Sequence, residues 1–268
     1  MRISAVQMNA TDSYVDNLNT MKSLTELAVS CDRPDLIVFP EFCTFISTSP
    51  EKMRNHAELI ETGTTSIAIS DLARRHSVNI HLGSIVELRD NKLYNTSVIF
   101  NREGNIVAQY SKIHRFDITL PDGTEVRESA LVEAGCDVVV INIEGVKVGL
   151  SICYDLRFGE LFRKLEQLGA DVIVLPAAFT QQTGIDHWEI LIRARAIETQ
   201  CYVVGAGQIG SYDNGAGHNF GHSLIADPWG IIIAQAPNRE AHITAYVDLA
   251  HLHAIRAALP VRSHRVLV

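Results

Sequence analysis

The sequence VKVGLSICYDLR, residues 146–157, is the most informative segment of the chain. Apolar and polar side chains alternate from Val146 to Ile152, which is typical of a strand, and a helix is predicted from about Gly159 to Leu168. Cys153 therefore lies at a strand exit, where we expect the first unpaired N–H groups of that helix close to the sulfur. Such surroundings stabilise a thiolate and an oxyanion. A buried thiol that only fills space is the alternative for a lone cysteine.

The rest of the chain repeats this alternation of strand and helix. Strands are predicted at residues 2–7, 35–40, 79–87, 95–101, 106–110, 138–143, 147–152, 171–175, 202–206, 223–226, 231–235 and 244–247, and helices at 14–30, 64–76, 159–168 and 187–199. Residues 117–129, which contain Pro121-Asp122-Gly123, and residues 213–217 are predicted to be loops. Because no linker or repeat interrupts the pattern, we expect an α/β layered fold and a single domain over residues 1–268.

Composition limits the kinds of binding partner and the cellular compartment that we expect for this protein. The chain has 268 residues, 47% hydrophobic and 20% charged, enough to bury a large core. A formal net charge of -8 without a basic block argues against nucleic acid and anionic membranes, and favours a small-molecule or protein partner. The N-terminus enters a strand pattern at once, and no apolar run is long enough to span a membrane. Five widely spaced cysteines do not resemble a disulfide or zinc framework, so we expect a cytoplasmic protein.

Two further charged residues occupy places like that of Cys153. Glu41 follows the apolar run at residues 36–40, and Lys112 follows the run at residues 106–110. The carboxyl ends of neighbouring strands in layered α/β proteins converge on one crevice, so the three side chains form a candidate triad. The alternatives are that Glu41 caps a helix and that Lys112 is a solvated charge.

Three segments around these residues resemble the signature motifs of the nitrilase (carbon–nitrogen hydrolase) superfamily. They are FPEF at residues 39–42, SKIHRFD at 111–117 and ICYDLRF at 152–158, with further likeness at 93–97, 187–189, 193–198 and 227–230. The resemblance implies a four-layer α-β-β-α sandwich and a triad of Glu41, Lys112 and Cys153. It also implies a homodimer formed through one sandwich face, sometimes with higher assembly.

Amide hydrolysis needs an activated nucleophile, a stabilised oxyanion and a protonated leaving group. Cys153 is the candidate nucleophile, and Glu41 is the candidate general base and acid. Lys112 and the backbone N–H of Tyr154 are candidate oxyanion donors. By resemblance, Glu128 is a second glutamate that positions Lys112, the alternative being a solvated loop carboxylate.

We expect neither a metal nor a cofactor. The pairs His218 with His222 and His251 with His253 lack a third ligand at a recognisable spacing. Glycines 205, 207 and 210 do not form a dinucleotide-binding pattern.

The substrate class follows from the resemblance within the superfamily. Residues 153–158 and 183–189 resemble the Nit branch, whose members hydrolyse small dicarboxylate monoamides. We therefore expect an amidase that forms a carboxylate and ammonia through a Cys thioester. Residues 193–204 favour deaminated glutathione as substrate, with α-ketoglutaramate and simple aliphatic amides as alternatives.

Four side chains are candidates for substrate binding. Arg115 and Arg157 carry the charge that a substrate carboxylate requires, whereas Phe179 and Thr183 are expected to line the pocket wall. Two alternatives from other classes are a non-catalytic scaffold and a redox sensor in which Cys43 lies near the main thiol.

Overall fold

The computed structural model of the chain describes residues 1–119, 123 and 125–266. In chain order the described strands are β1 (Arg2–Gln7), β2 (Leu36–Val38), β3 (Asn79–Arg89), β4 (Lys92–Phe100), β5 (Ile106–Ser111), β6 (Asp117–Thr119), β7 (Glu125–Arg127), β8 (Val140–Ile143), β9 (Val146–Leu150), β10 (Val172–Ala177), β11 (Tyr202–Gly207), β12 (Ile209–Tyr212), β13 (Gly217–Phe220), β14 (Leu224–Ala226), β15 (Ile232–Gln235) and β16 (Ala241–Tyr246). The helices are α1 (Tyr14–Asp32), α2 (Pro50–Asn55), α3 (Thr64–His76), α4 (Gly159–Gln167), α5 (Gln181–Thr199) and α6 (Leu249–Ala258).

Twelve of these strands form two six-stranded sheets. The first has the order β16-β1-β2-β3-β4-β5 and the second the order β15-β14-β11-β10-β9-β8. Strands β1, β2 and β3 are parallel in the first sheet, and β9, β10 and β11 are parallel in the second. The central strands are buried, because other layers cover both of their faces.

Two apolar clusters show how the layers stack. One cluster joins residues of both sheets, for example Leu36 and Val172, to Leu161 of α4 and Trp188 of α5. The other joins the opposite face of the first sheet to α1 and α3. Helices therefore cover the outer face of each sheet, which confirms the predicted α-β-β-α sandwich.

Two segments predicted to be loops belong to short hairpins. Strand β6 pairs with β7, and a 3₁₀ turn, Glu128–Ala130, follows directly. The loop prediction for residues 117–129 is wrong because Ile118 and Val126 form a cross-strand pair that a polar composition hides. Pro121 and Asp122 lie outside the described residues. The loop predicted at residues 213–217 is confirmed for residues 213–216, which form the turn between β12 and β13, whereas Gly217 is the first residue of β13.

Several other helices and strands differ from those predicted from the sequence, each for a local reason. Helix α2 has six residues, too few for a periodic pattern, and α6 was also not predicted. Helix α5 begins at Gln181 and not at His187. The predicted start is late because the first turn of this helix is polar and contains a glycine, a composition typical of loops. Strand β2 ends at Val38, two residues before a proline that cannot donate to the ladder. No helix among residues 1–119 and 125–266 combines the length and apolarity that crossing a bilayer requires.

Candidate active site

The three candidate side chains come from strand exits in both sheets. Glu41 follows β2 and Lys112 follows β5, which are separated by β3 and β4 in the first sheet. Cys153 follows β9 in the facing sheet. The three side chains do converge, as expected, but the expectation that they come from neighbouring strands is wrong. The residues meet because the inner faces of the two sheets pack together at the same end.

Glu41 is buried and both of its carboxylate oxygens are occupied. Oε1 accepts hydrogen bonds from Lys112 Nζ at 3.0 Å and Asn95 Nδ2 at 2.8 Å, and Oε2 accepts one from the Ala178 N–H at 2.8 Å. Its side chain is only 2% exposed. The helix-cap alternative for Glu41 is wrong, since the next helix begins at Pro50. These bonds fix the orientation of the carboxylate within the site.

A close backbone approach holds the Glu41 loop in place. A Cβ on Gly83 would lie 1.8 Å from the Pro40 carbonyl oxygen, so only glycine lets β3 pass this loop. On the other side, Gln208 Nε2 donates to the Glu41 carbonyl oxygen at 3.0 Å. The backbone that carries Glu41 is thus clamped between the two sheets.

Lys112 is buried between two carboxylates. Its Nζ lies 2.9 and 3.1 Å from the two oxygens of Glu128, in addition to its contact with Glu41. Burial alone would lower the pKa of Lys112, but the charges of Glu128 and Glu41 outweigh it and hold that pKa well above its ordinary value. Lys112 therefore remains an ammonium at neutral pH. Because both partners are largely buried, the solvated alternatives for Lys112 and Glu128 are wrong.

Two neighbours orient Glu128, and one of them was not identified from the sequence. The Phe116 N–H donates to Glu128 Oε2 at 2.6 Å, and Asn95 Nδ2 donates to Oε1 at 3.0 Å. Asn95 therefore bridges Glu128 and Glu41 from the middle of β4. Asn95 begins a run of three polar residues in β4, Asn95-Thr96-Ser97, but strand patterning alone does not say what such residues contact.

Cys153 lies on a sharp elbow. Its φ of +46° is in the left-handed region, which costs a residue with a side chain about 1–3 kcal/mol. It opens a 3₁₀ turn, Cys153–Arg157, whereas α4 begins at Gly159. The expectation that the N-terminus of α4 meets the sulfur is wrong, because this turn intervenes. The first N–H groups of such a turn, including that of Tyr154, have no partner within it.

The Cys153 thiol is protonated at neutral pH. Burial and the adjacent Glu41 carboxylate raise its pKa well above the ordinary value, and Lys112 only partly opposes them. A neutral thiol is a weak nucleophile, so it needs a base in contact. Glu41 is the hydrogen-bonded carboxylate that can take this proton.

A buried network braces the elbow. Asp155 Oδ2 accepts hydrogen bonds from the Ile152 N–H at 2.9 Å and the Tyr110 hydroxyl at 2.6 Å. Asp155 Oδ1 accepts from the His114 N–H at 3.0 Å and lies 2.7 Å from His114 Nδ1. Tyr110 and His114 flank Lys112 in the chain. The network therefore links the end of β5, which carries Lys112, to the end of β9, which leads to Cys153.

The structure brings two of the four substrate-binding candidates together beside the elbow. The Arg157 guanidinium lies 5.1 Å from the Phe179 ring centre and 5.8 Å from that of Tyr154. Its Nη1 is 3.2 Å from His187 Nδ1. No carboxylate of residues 1–119 or 125–266 forms an ion pair with Arg157. Its charge is therefore available to a ligand.

The other two candidates make different contacts. Thr183 lies in the first turn of α5, with its hydroxyl 2.8 Å from that of Thr180. Arg115 Nη1 lies 3.5 Å from the Val132 carbonyl oxygen. The positive charge of Arg115 is one of the causes that lower the pKa of Asp117. Neither contact by itself places these side chains against the triad.

Cys43 belongs to a different part of the core. It is fully buried in the cluster formed with α1 and α3, whereas Cys153 lies in the cluster between the sheets. Burial raises the pKa of Cys43 to about 12, so it stays a neutral thiol. All five cysteines are free. This separation disfavours the redox-sensor alternative.

Comparison with known proteins decides the family. The model of the family described as carbon-nitrogen hydrolase matches residues 2–257. The chain belongs to the carbon–nitrogen hydrolase family. This confirms the resemblance of the three motifs and the class of enzyme. In the described parts of this hydrolase, no group of three or more His, Cys, Asp or Glu side chains is arranged to hold a metal ion.

The relatives of this hydrolase agree in sequence and in fold. A protein of Synechocystis sp. named deaminated glutathione amidase is 38% identical over 99% of this chain and 98% of its own length. The crystal structure of the C. elegans NitFhit protein superimposes with a TM-score of 0.92 at 33% identity, covering 98% of this chain and 64% of that chain. Saccharomyces cerevisiae Nit3, a member of branch 10 of the nitrilase superfamily, gives a TM-score of 0.87 at 30% identity, covering 97% and 94%.

Proposed function

We propose that this hydrolase cleaves the amide bond of a small dicarboxylate substrate through a thioester on Cys153. The observation that carries the proposal is the position of Lys112, held between Glu41 and Glu128 at one end of the sandwich. One ammonium between two carboxylates leaves a net negative charge, so the thiol stays protonated until substrate arrives. The proton, the nucleophile and the oxyanion donors then lie within one buried cluster.

In the first half-reaction Glu41 takes the proton of the Cys153 thiol as the sulfur attacks the carbonyl carbon. A C–S bond forms and the carbonyl electrons move to oxygen. The Lys112 ammonium and the Tyr154 N–H stabilise this oxyanion, each such donor being worth roughly 3 kcal/mol of barrier. As the intermediate collapses, the C–N bond breaks and Glu41 gives its proton to the leaving nitrogen. An amine departs and a thioester remains.

In the second half-reaction Glu41 takes a proton from water. The water oxygen attacks the thioester carbonyl, and the same two donors hold the oxyanion. The C–S bond then breaks, and the sulfur recovers its proton from Glu41. The net reaction adds one water to one amide and gives an acid and an amine. Asn95 and Glu128 act as positioning residues, because they hold Lys112 and Glu41 without contacting the substrate carbonyl.

Deaminated glutathione is the substrate that we propose first. It is the substrate named for the Synechocystis relative, and the likeness covers nearly the full length of both chains. Its amide bonds are secondary, so its leaving group is an amine. Ammonia is the product expected from a primary amide such as α-ketoglutaramate, the second candidate. The unpaired Arg157 guanidinium beside Tyr154 is the preferred site for a substrate carboxylate, since Asp117 partly balances Arg115.

The test combines turnover with trapping of the intermediate. We expect deaminated glutathione to yield 2-oxoglutarate, and α-ketoglutaramate to yield ammonia. Intact-protein mass spectrometry should show an acyl group on the wild-type enzyme that alkaline hydroxylamine removes. Cys153→Ala should abolish both the adduct and turnover. An active Cys153→Ala variant would exclude the assigned nucleophile, and a wild type inactive on both amides would exclude the substrate class.

We further propose that residues 1–268 act as one catalytic domain, in the cytoplasm, without nucleic acid or membrane partners. The supporting observations are the net charge of -8 and the five free cysteines.

We also propose that the protein forms a homodimer through the outer face of α5. Ile190 and Ile197 are 68% and 49% exposed there, and a Cβ on Gly230 would touch Ile197, so the exposed Trp229 and Ile231 extend the same apolar face.

Light scattering after size exclusion tests this assembly. The wild type should elute as a dimer, and Ile190→Asp should shift it toward the monomer. Ile67→Asp, at a residue of similar exposure on α3, is the matched control and should leave the dimer intact. A wild-type monomer would exclude the proposal.

A further inference from the structure

The hairpin formed by β12 and β13 borders the catalytic centre. Gln208, which binds the Glu41 carbonyl oxygen, directly precedes β12, and Tyr212 ends this strand. Tyr212 is half-buried and packs against the same apolar cluster as Phe42 and Ala178. Phe42 follows Glu41 in the chain, and the Ala178 N–H binds Glu41 Oε2. Gln208 also pairs with Met8, directly after β1, so the hairpin that carries Tyr212 adjoins the strand next to β2, which leads to Glu41.

The position of this ring is fixed from two directions. Tyr212 pairs with Gly217 across the hairpin, and a Cβ on Gly217 would lie 2.1 Å from Tyr212 Cζ. The ring thus covers the glycine and could not keep this place beside any larger residue. The Asp213 carboxylate accepts hydrogen bonds from the hydroxyls of Ser47 and Thr48, both at 2.8 Å, which fastens the tip of the hairpin to the segment after Glu41. A side chain held in this way is preorganised for a ligand.

Tyr212 lies on the leaving-group side of the site. In the first sheet Lys112 follows β5, whereas the hairpin adjoins the end of β1, so Tyr212 and Lys112 lie on opposite sides of Glu41, which follows β2. Burial and Asp213, followed by the charges of Glu41 and Cys153, raise the pKa of Tyr212 to about 12. Its hydroxyl is therefore a neutral donor close to the group that protonates the departing nitrogen. The acyl carbonyl, in contrast, is drawn toward Lys112.

We propose that the Tyr212 hydroxyl binds the amine portion of a secondary-amide substrate by donating a hydrogen bond to an acceptor oxygen such as a peptide carbonyl. This inference rests on the proposed amidase function and adds a subsite for the leaving group. A primary amide has no atoms there, because its leaving group is ammonia. Tyr212 therefore selects peptide-like amides over primary amides that carry the same acyl group.

Two substrates isolate this contact. Deaminated glutathione and α-ketoglutaramate deliver the same acyl group to Cys153, so they share the thioester and its hydrolysis and differ only in the leaving group. Tyr212→Phe keeps the ring over Gly217 and removes only the hydroxyl. We expect kcat/KM for deaminated glutathione to fall roughly five- to tenfold, the usual effect of one neutral hydrogen bond. The value for α-ketoglutaramate should change by less than about twofold.

Tyr246→Phe is the matched control, since this tyrosine is 64% exposed on β16, and both rates should stay at the wild-type value. An equal loss on both substrates would assign Tyr212 a structural role and overturn the inference. Unchanged rates on both would also overturn it, because the hydroxyl would then touch no leaving group. If the wild-type enzyme hydrolyses neither amide, the proposed function fails first, and the two failures are thereby distinguished.

Discussion

The Tyr110 hydroxyl donates a 2.6 Å hydrogen bond to the buried Asp155 carboxylate, and this bond joins the two sheets at the catalytic end. Tyr110 lies two residues before Lys112, and Asp155 lies two residues after Cys153. The bond therefore controls the distance between Lys112 and Cys153, the proposed oxyanion donor and nucleophile. Because Asp155 is fully buried, its four contacts have no solvent to replace them.

Asp155→Asn should weaken both activity and stability. The amide supplies only one acceptor oxygen, so at least one of the buried donors around it loses its partner. We expect the free energy of unfolding to fall by about 2–3 kcal/mol and kcat/KM to fall more than about tenfold. Denaturant titration and amide hydrolysis measure the two effects. Asp186→Asn, at an exposed position of α5, should change neither. Wild-type activity in Asp155→Asn would show that the brace does not set the catalytic distance.

Glu128→Gln should reduce turnover without a large loss of stability. The neutral amide keeps the shape of the side chain but removes the charge that contributes most to the raised pKa of Lys112. A less firmly held ammonium is a poorer oxyanion donor, so we expect kcat to fall roughly ten- to a hundredfold. Steady-state kinetics with the preferred amide give the value. Glu125→Gln, on the exposed strand β7, serves as the control. Equal kcat values for Glu128→Gln and the wild type would contradict a positioning role for Glu128.

Local sequence patterns were sufficient for most strands and helices and for an α/β layered fold, whereas the four-layer order followed from the family resemblance. Alternating and helical periodicities located β1, α1 and α3 within two residues. Helices α1 and α3 each bury one face, whereas β1 is a central strand that is buried on both faces. They failed at β12 and β13, where Asp213-Asn214-Gly215 dominates the composition and each strand has only four residues, too few for a clear periodic pattern. The missed hairpin carries Tyr212, so a local error in secondary structure hid the residue that we propose for binding the leaving group.

The contacts of the candidate site were only partly accessible to sequence reasoning. Motifs located Glu41, Lys112 and Cys153, since each follows a recognisable apolar run. The bridging role of Asn95 and the Ala178 N–H contact depend on how the sheets face each other. That arrangement is a property of tertiary packing, and no spacing within one strand encodes it.

Glu41→Gln should slow hydrolysis and at the same time make the thiol more acidic. The Glu41 charge raises the pKa of Cys153, and Lys112 opposes it. Removing the carboxylate leaves the opposing ammonium, so the pKa of the thiol should fall and thiolate should form at lower pH. We expect iodoacetamide to label Cys153 faster than in the wild type at pH 7, although kcat drops at least about a hundredfold.

Because Cys31 and Cys136 are exposed, labelling should be followed by mass spectrometry on the peptide that contains Cys153. Cys153→Ser provides the blank, and Glu51→Gln on α2 provides a carboxylate control remote from the thiol. Slower labelling in Glu41→Gln across pH 6 to 9 would show that Glu41 does not hold the thiol protonated.

His81 should make the fold sensitive to acid. It is fully buried on β3, and burial lowers its pKa to about 3. In the unfolded chain its pKa is about 6.5, so the stability that neutral His81 contributes is complete above that pH and is lost as pH falls toward 3. The expected loss is about 1.4 kcal/mol for each pH unit well below 6.5. His81→Leu removes this titration, so its unfolding free energy should fall less steeply than that of the wild type between pH 6 and 4. Urea titrations at each pH measure the difference, with the exposed His253→Gln as control. Parallel curves for the wild type and His81→Leu would mean that His81 does not drive the acid transition.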